Sequence, residues 1–240
     1  MDNPKVSVII PSYNRFESLL NSIKSVEEQD YENYEIIVIN DGSTDPNYKS
    51  YKFNDKVKLI HLEENQKSIN GFGPGAIRNF GVNQSNGKYI AFLDDDDYWL
   101  PEKLKYQISK LENSHYKFSS TEGLYGEGPY NKDKNYSLYN KEFFYEDIKY
   151  KYRKTKYLKN NSFPEIWDSS FLEIHNCVIT SSVIVEKSIL DILGGFRGVP
   201  MWSDYDCWLG LLKLSDLIYI DRPLFYYDGS HGDGQEYIIN

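Results

Sequence analysis

The segment Phe92-Leu93-Asp94-Asp95-Asp96-Asp97-Tyr98-Trp99 places four consecutive carboxylates at the end of an apolar run. At about 4 Å and an effective dielectric near 20, two such charges repel by roughly 4 kcal/mol, so something must offset them. In an extended segment Asp94 and Asp96 point one way and Asp95 and Asp97 the other. Two carboxylates on one side can hold a hard cation, since Mg2+ takes one or two of them with ligand phosphates and water. The plainer reading is a solvated acidic turn with Asp97 near a helix N-terminus. The apolar run before the aspartates and the aromatic pair after them favour a site.

Other groups could work with it. Asp41 ends the apolar run 35–40, where doubly wound folds place an acid on a nucleotide ribose. The first apolar run lacks the GxGxxG turn of nicotinamide enzymes and ends instead in Pro11-Ser12-Tyr13-Asn14. Tyr13 could stack on a base and Asn14 could hydrogen-bond it; equally, Asn14 could form an Asx turn and Asp41 an Asp-Gly turn. Arg78 follows the glycine-rich loop 70–75, and an arginine at a helix start suits phosphate. In Ser203-Asp204-Tyr205-Asp206, Asp204 is either a general base at the site rim or, with Ser203, a helix N-cap. Asp206 is the rival base in the same turn.

These groups need elements to carry them. Val6 to Ile10 reads as a buried strand ending at Pro11, 35–40 as a second, 58–62 as a third and 89–93 as a fourth. Helical spacing covers 16–28 and the stretch around Ala76, Ile77, Phe80 and Val82, and Pro101 suits the first position of another helix. Strands alternating with helices predict an α/β fold whose mostly parallel sheet is covered on both faces. Ligands then bind beyond the carboxyl ends of the strands, where Ser12 to Arg15, Asp41 and the aspartates should converge. Residues 113–175 show weak periodicity. A strand is expected over 178–185, a short helix closed by Gly194-Gly195, a helix over 201–214 and a strand over 217–220.

Composition narrows the classes. A chain of 240 residues with net charge −9 argues against a general nucleic-acid binder. No apolar run approaches the ~20 residues that span a bilayer, and the first residues lack a secretory pattern. Two cysteines without metal spacing, Cys177 and Cys207, suit a reducing, cytoplasmic setting. The basic and aromatic stretch 149–157 is a solvated face or a contact for an anionic acceptor or a membrane surface.

Taken in order, 6–15, 35–45, 75–82, 87–104, 194–196 and 203–209 resemble inverting glycosyltransferases of family 2, with the GT-A fold, over about residues 5 to 230. The resemblance implies one domain over 1–240, with a nucleotide-sugar half at 1–112 and an acceptor half at 113–240 that adds a smaller sheet. It implies that Pro11, Tyr13 and Asn14 line the nucleotide pocket and that Asp41 binds the base or ribose. Asn70 and Arg78 match the family's Asn and Arg. Asp94-Asp95-Asp96 matches its DXD motif, with Asp94 and Asp95 toward the donor and Asp96 on Mn2+ or Mg2+. Asp204 matches the general base, and His231 sits where relatives carry a histidine near metal and diphosphate. UDP is the default donor nucleotide, and a glycan or glycoconjugate hydroxyl the acceptor. Ser203 stands in place of the family's glutamate, and Gly210 where an arginine is common. The competing readings are an inactive sugar-nucleotide-binding module and, without a glycine-rich arginine loop after the first strand, less readily a nucleotidyltransferase.

Overall fold

The computed structural model describes residues 3–70, 74–160, 162–199 and 201–231. The side chains of Asn70 and His231, both named above, lie outside the described residues. The first half runs β1 (Val6–Ser12), α1 (Phe16–Glu27), β2 (Tyr34–Asn40), α2 (Asn47–Ser50), β3 (Val57–His61), α3 (Gln66–Asn70), α4 (Pro74–Asn83) and β4 (Tyr89–Phe92). Then come β5 (Tyr98–Trp99), α5 (Lys103–Glu112), β6 (Phe118–Gly126), β7 (Ser137–Leu138), α6 (Tyr145–Tyr152), β8 (Ile166–Trp167) and α7 (Ser169–Leu172). The chain continues through β9 (Ile184–Glu186), α8 (Lys187–Leu193), α9 (Ser203–Leu211) and β10 (Leu217–Asp228).

One sheet holds all the described strands, in the order β3-β2-β1-β4-β9-β6-β10-β5, with β7 beside β6 and β8 beside β10. The strands β3, β2, β1 and β4 are parallel, as expected from the alternation of strands and helices. Beyond β4 the pairing is mixed: β9 is antiparallel to both neighbours, while β6 and β10 are parallel. The strands after residue 112 thus continue the central sheet.

Side-chain alternation sorts β1 between two cores. Val6, Val8 and Ile10 pack toward Leu19, Ile23, Leu104 and Ile108 of α1 and α5. Ile9 packs on the other face with Ile77, Val82, Leu190 and Trp208 of α4, α8 and α9. Covering both faces is what makes the parallel strands read as unbroken apolar runs. Helix α4 lies so close to the sheet that a Cβ on Gly81 would come 2.6 Å from Ile9 Cγ2 and 2.8 Å from Ile39 Cδ1. Gly81→Ala is therefore expected to cost about 1–3 kcal/mol by overpacking, despite alanine's better helix propensity. A urea midpoint at or above wild type would contradict this.

Several boundaries differ from expectation, for physical reasons. The run 178–185 is only partly strand. Thr180–Ser182 forms a 3-10 turn in which Ser182 N and Oγ donate to Ile179 O, at 2.9 and 2.6 Å. Hydroxyl side chains bonding locally compete in this way with a ladder. The helix expected from 201 begins at Ser203 because Trp202 is left-handed, and it stops at Leu211. The helix expected from Pro101 begins at Lys103. Strand β10 runs eight residues past Ile220, with register shifts around Pro223 that break its pattern. Strand β6 was not recognisable because it buries Ser119, Ser120, Thr121 and Glu122. Glu122 is answered within β6 and from two other elements: it accepts from Gly123 N, Asn140 N and Tyr219 Oη at 2.8–2.9 Å.

Candidate active site

The aspartates leave β4 in a turn, closed by Asp97 N donating to Asp94 O at 3.2 Å. Their burial still alternates as an extended segment would predict: Asp95 and Asp97 are buried, Asp94 and Asp96 partly open. Two guanidiniums meet the open pair. Arg78 Nη2 lies 2.5 Å from Asp94 Oδ1, and Arg15 Nη1 lies 2.7 Å from Asp96 Oδ2. Arg15 also stands 3.5 Å from Asp95 Oδ1, and Ser12 Oγ donates to Asp95 Oδ2 at 2.6 Å. Burial and the neighbouring Asp96 push the Asp95 carboxyl up to about 7, with Ser12 and Arg15 opposing. Burial, then Asp96 and Asp94, raise Asp97 well above the carboxylate range. Asp97 joins β10 to the run, since Asp228 N donates to its Oδ1 at 3.1 Å.

The expected nucleotide-side residues sit together at the ends of β1 and β2. Pro11 is buried within β1 and Tyr13 half-buried after it. Asn14 has φ 52°, and its Oδ1 accepts from Thr44 N at 2.9 Å while its own N donates to Ser43 Oγ at 2.9 Å. It thus staples the loop after β1 to the loop after β2. Asp41 is fully buried. Its Oδ2 accepts from Asn65 Nδ2 and its Oδ1 from Gln66 N, both at 2.9 Å, which fixes the start of α3. Desolvation raises the Asp41 carboxyl, opposed by the Gln66 bond. Both of its oxygens are engaged by the fold, so its observed work is holding α3.

Helices α4 and α9 bring the other half of the site together. A Cβ on Gly75 would lie 2.6 Å from Ser203 Oγ, so the two helix starts nearly touch. Asn79 then clamps the turn after α8, donating to Phe196 O at 2.8 Å and accepting from Phe196 N at 2.9 Å. This contact explains why Gly194-Gly195-Phe196 travels with the other segments. Gly210 packs against α8: a Cβ there would meet Leu193 Cδ1 at 2.7 Å, so a larger residue would require that side chain to shift.

These contacts open a cavity of about 720 Å3 whose wall includes Arg78, Asp94 and Asp204, with His175 and Trp202. Asp204 does not cap its helix; Trp202 holds the N-cap position without a side-chain bond. Among the described residues, no hydrogen bond or ion pair engages the Asp204 carboxylate. Asp206 is bound bidentately by Arg197, which lowers its pKa, and it is not part of the cavity wall. Pro11, Tyr13, Asn14, Asp41, Asp95 and Asp96 lie outside that wall as well.

A divalent cation can be judged by the donor set. Among the described residues, no group of three or more His, Cys, Asp or Glu is arranged to hold a metal. Mg2+-type sites need fewer protein ligands when phosphates complete the shell. Asp94 and Asp96 supply hard oxygens, so the chain fits a cation shared with a bound diphosphate rather than a site built from protein alone.

Sequence reasoning did not single out four contributors. Arg15 sat in the polar cluster after β1, which was signal enough. Ser181, whose Oγ accepts from Asp94 N at 3.0 Å, and Asn79 have no local signature. Half-buried His175, held low by desolvation and then Lys151, lies in the region of weak periodicity.

The sequence profile of Glycosyl transferase family 2 matches residues 7–173. An uncharacterized glycosyltransferase of Rickettsia bellii (strain RML369-C) is 46% identical over 117 residues, or 49% of this chain and 16% of that protein. The chain therefore spans less than a fifth of that relative. UDP-Glc:alpha-D-GlcNAc-diphosphoundecaprenol beta-1,3-glucosyltransferase WfgD of Escherichia coli is 32% identical over 89% of this chain and 72% of its own length. Among solved structures, S. aureus TarS 1-349 in complex with UDP-GlcNAc superposes with TM-score 0.66 at 20% identity, over 97% of this chain and 60% of TarS. The mannosyltransferase PcManGT from Pyrobaculum calidifontis, in complex with GDP-Man and Mn2+, gives TM-score 0.68 at 15% identity, over 99% of this chain and 60% of that one. At these identities the structural likeness establishes the GT-A fold.

Proposed function

The chain belongs to glycosyl transferase family 2, and on that premise we propose that it moves a sugar from a nucleoside diphosphate to an acceptor hydroxyl in one inverting displacement. The observation that carries this reading is the shared cavity wall: Asp204 faces the same 720 Å3 space as the Arg78–Asp94 pair. A transfer site needs a group that takes a proton and a group that receives negative charge, and these two meet both needs.

Asp204 takes the proton from the acceptor hydroxyl as the oxygen attacks the anomeric carbon. Its carboxylate, with no ion pair among the described residues, is suited to that role; Asp206, held by Arg197, is not. Arg78 is fixed by Asp94 and directs its donors at the departing diphosphate, where charge develops. Asp96, with Asp94, would hold Mn2+ or Mg2+ beside the diphosphate. When bound, the cation supplies further charge neutralisation there. Arg15 and Ser12 keep Asp95 and Asp96 in register beneath the donor. Tyr13 and Pro11 form the base side of the pocket, and Asn14 and Asp41 hold its loops in place.

The name of the Escherichia coli relative, a UDP-Glc enzyme acting on a diphosphoundecaprenol-linked sugar, makes UDP-sugars and lipid-diphosphate glycans the first substrates to test. The stretch 149–157 carries five cations and no carboxylate. Tyr150 and Lys151 from it line the cavity, which suits an anionic acceptor carrier. No helix among the described residues is long and apolar enough to cross a membrane.

The test is a screen for nucleoside diphosphate release across sugar nucleotides, with Mn2+, with Mg2+ and with a chelator. Metal-dependent release from at least one donor is expected. Release that ignores the chelator would remove the cation from the scheme. Binding of a sugar nucleotide without turnover under any acceptor would leave a binding module, and release of pyrophosphate would indicate a nucleotidyltransferase.

A further inference from the structure

Of the four tryptophans, Trp99, Trp167 and Trp208 are completely buried, whereas Trp202 is 68% exposed. Its backbone is left-handed, with φ 53° and ψ 37°. Bulky residues rarely enter that region, and when the surroundings hold them there the site is often a ligand clamp. Here the next residue, Ser203, is buried against Gly75, which anchors the start of α9 and leaves Trp202 turned out of it. Among the described residues the indole makes no ring contact, no cation–π contact and no hydrogen bond. It lines the same cavity as Asp204, two positions away in the chain, with Met201 beside it and His175 and Lys151 in the same wall.

We propose that Trp202 is the platform on which the acceptor's reacting sugar ring stacks, so that the acceptor end group is a carbohydrate and Trp202 helps select it. The proposal rests on the transfer reading above. A pyranose has an apolar face of C–H groups and a polar rim of hydroxyls. An indole offers a large, rigid apolar face that loses little conformational entropy on binding, with one N–H donor at its edge. A ring laid on Trp202 would bring one of its hydroxyls toward Asp204, the group that must take the proton. The ring belongs on the acceptor side, because Trp202 stands two residues from Asp204, the group that takes the acceptor's proton, in the same cavity wall. Orienting the acceptor in this way converts a chance encounter into a positioned attack.

Trp202 can be read selectively, since the other three indoles are out of contact with solvent. Iodide quenching of intrinsic fluorescence therefore reports Trp202, and Trp202→Phe should remove the quenchable fraction. The probes are methyl glycosides of common hexoses and N-acetylhexosamines, added with UDP present. At least one is expected to protect Trp202 from iodide. Using that glycoside as acceptor, Trp202→Ala should lower the ratio of sugar transfer to donor hydrolysis roughly tenfold or more, mainly through acceptor KM, with partial rescue by Trp202→Phe. Three results would overturn the proposal: no glycoside protects, the ratio is unchanged in Trp202→Ala, or protection comes only from vesicles containing anionic phospholipid. The last would assign the indole to a membrane surface. Absence of nucleoside diphosphate release from every donor would defeat the transfer reading alone, since glycoside protection is scored without turnover.

Discussion

Asp204→Asn is expected to lower sugar transfer by roughly 10²–10⁴-fold, the usual span for losing a positioned general base. Binding of the sugar nucleotide should stay close to wild type. The amide is nearly isosteric with the carboxylate and cannot accept the proton. Because Asp204 has no hydrogen bond or ion pair among the described residues, the substitution removes no internal contact. A thermal midpoint near that of wild type is therefore part of the expectation. Asp206→Asn is the matched control. It breaks the pair with Arg197, an exposed side chain, and pairs of that kind contribute little. Near-normal transfer in Asp204→Asn, or a collapse in Asp206→Asn alone, would move the base one position-pair along α9.

Arg78→Ala should be damaging twice over. Arg78 is 3% exposed and braces Asp94. Removing one partner of a buried ion pair leaves the other uncompensated, at a cost of about 3–5 kcal/mol. Asp94 is itself partly open, so a loss toward the lower end is expected. Losing donors aimed at a departing anion should add roughly 10²–10³-fold in kcat. Arg78→Lys separates the two effects. It keeps a cation beside Asp94 but loses the planar fork, so stability should recover more than turnover does. Denaturant midpoints and single-turnover rates measured on the same preparations check this. Recovery of turnover in step with stability would make Arg78 a purely structural residue.

The parallel half of the fold was legible because its strands are buried on both faces and their apolar runs stop at polar clusters. The same clarity placed Ser12 to Arg15 beside the aspartates, where Ser12 meets Asp95 and Arg15 meets Asp96. Strand β6 was hidden for the opposite reason. It buries Ser120 and Glu122, whose partners Ser182, Asn140 and Tyr219 lie 18 to 97 residues away. No local pattern encodes such pairings. At the site, residue types were readable but their obligations were not. Asp41 reads as a ribose ligand, and nothing in the sequence signals that its two oxygens also hold the start of α3. The contrast between Asp204 and Asp206 depends on Arg197, which pairs with Asp206 alone and follows the turn that Asn79 clamps. The charge offset for the aspartates was sought in a cation from outside; the chain already supplies two guanidiniums, from α4 and from the loop after β1.

The order of strands in the sheet has a consequence for building hybrid enzymes. Residues 1–112 supply β4, but the strand beside it is β9, which lies far along the chain, and β6 comes next. Residues 1–112 grafted onto the remainder of another chain would therefore have to recreate a seam between strands that never evolved together. Exchange of loops and short helices at the cavity rim, such as α6 or the segment before α9, leaves that seam intact. Acceptor preference should accordingly be easier to transplant in small pieces than in halves.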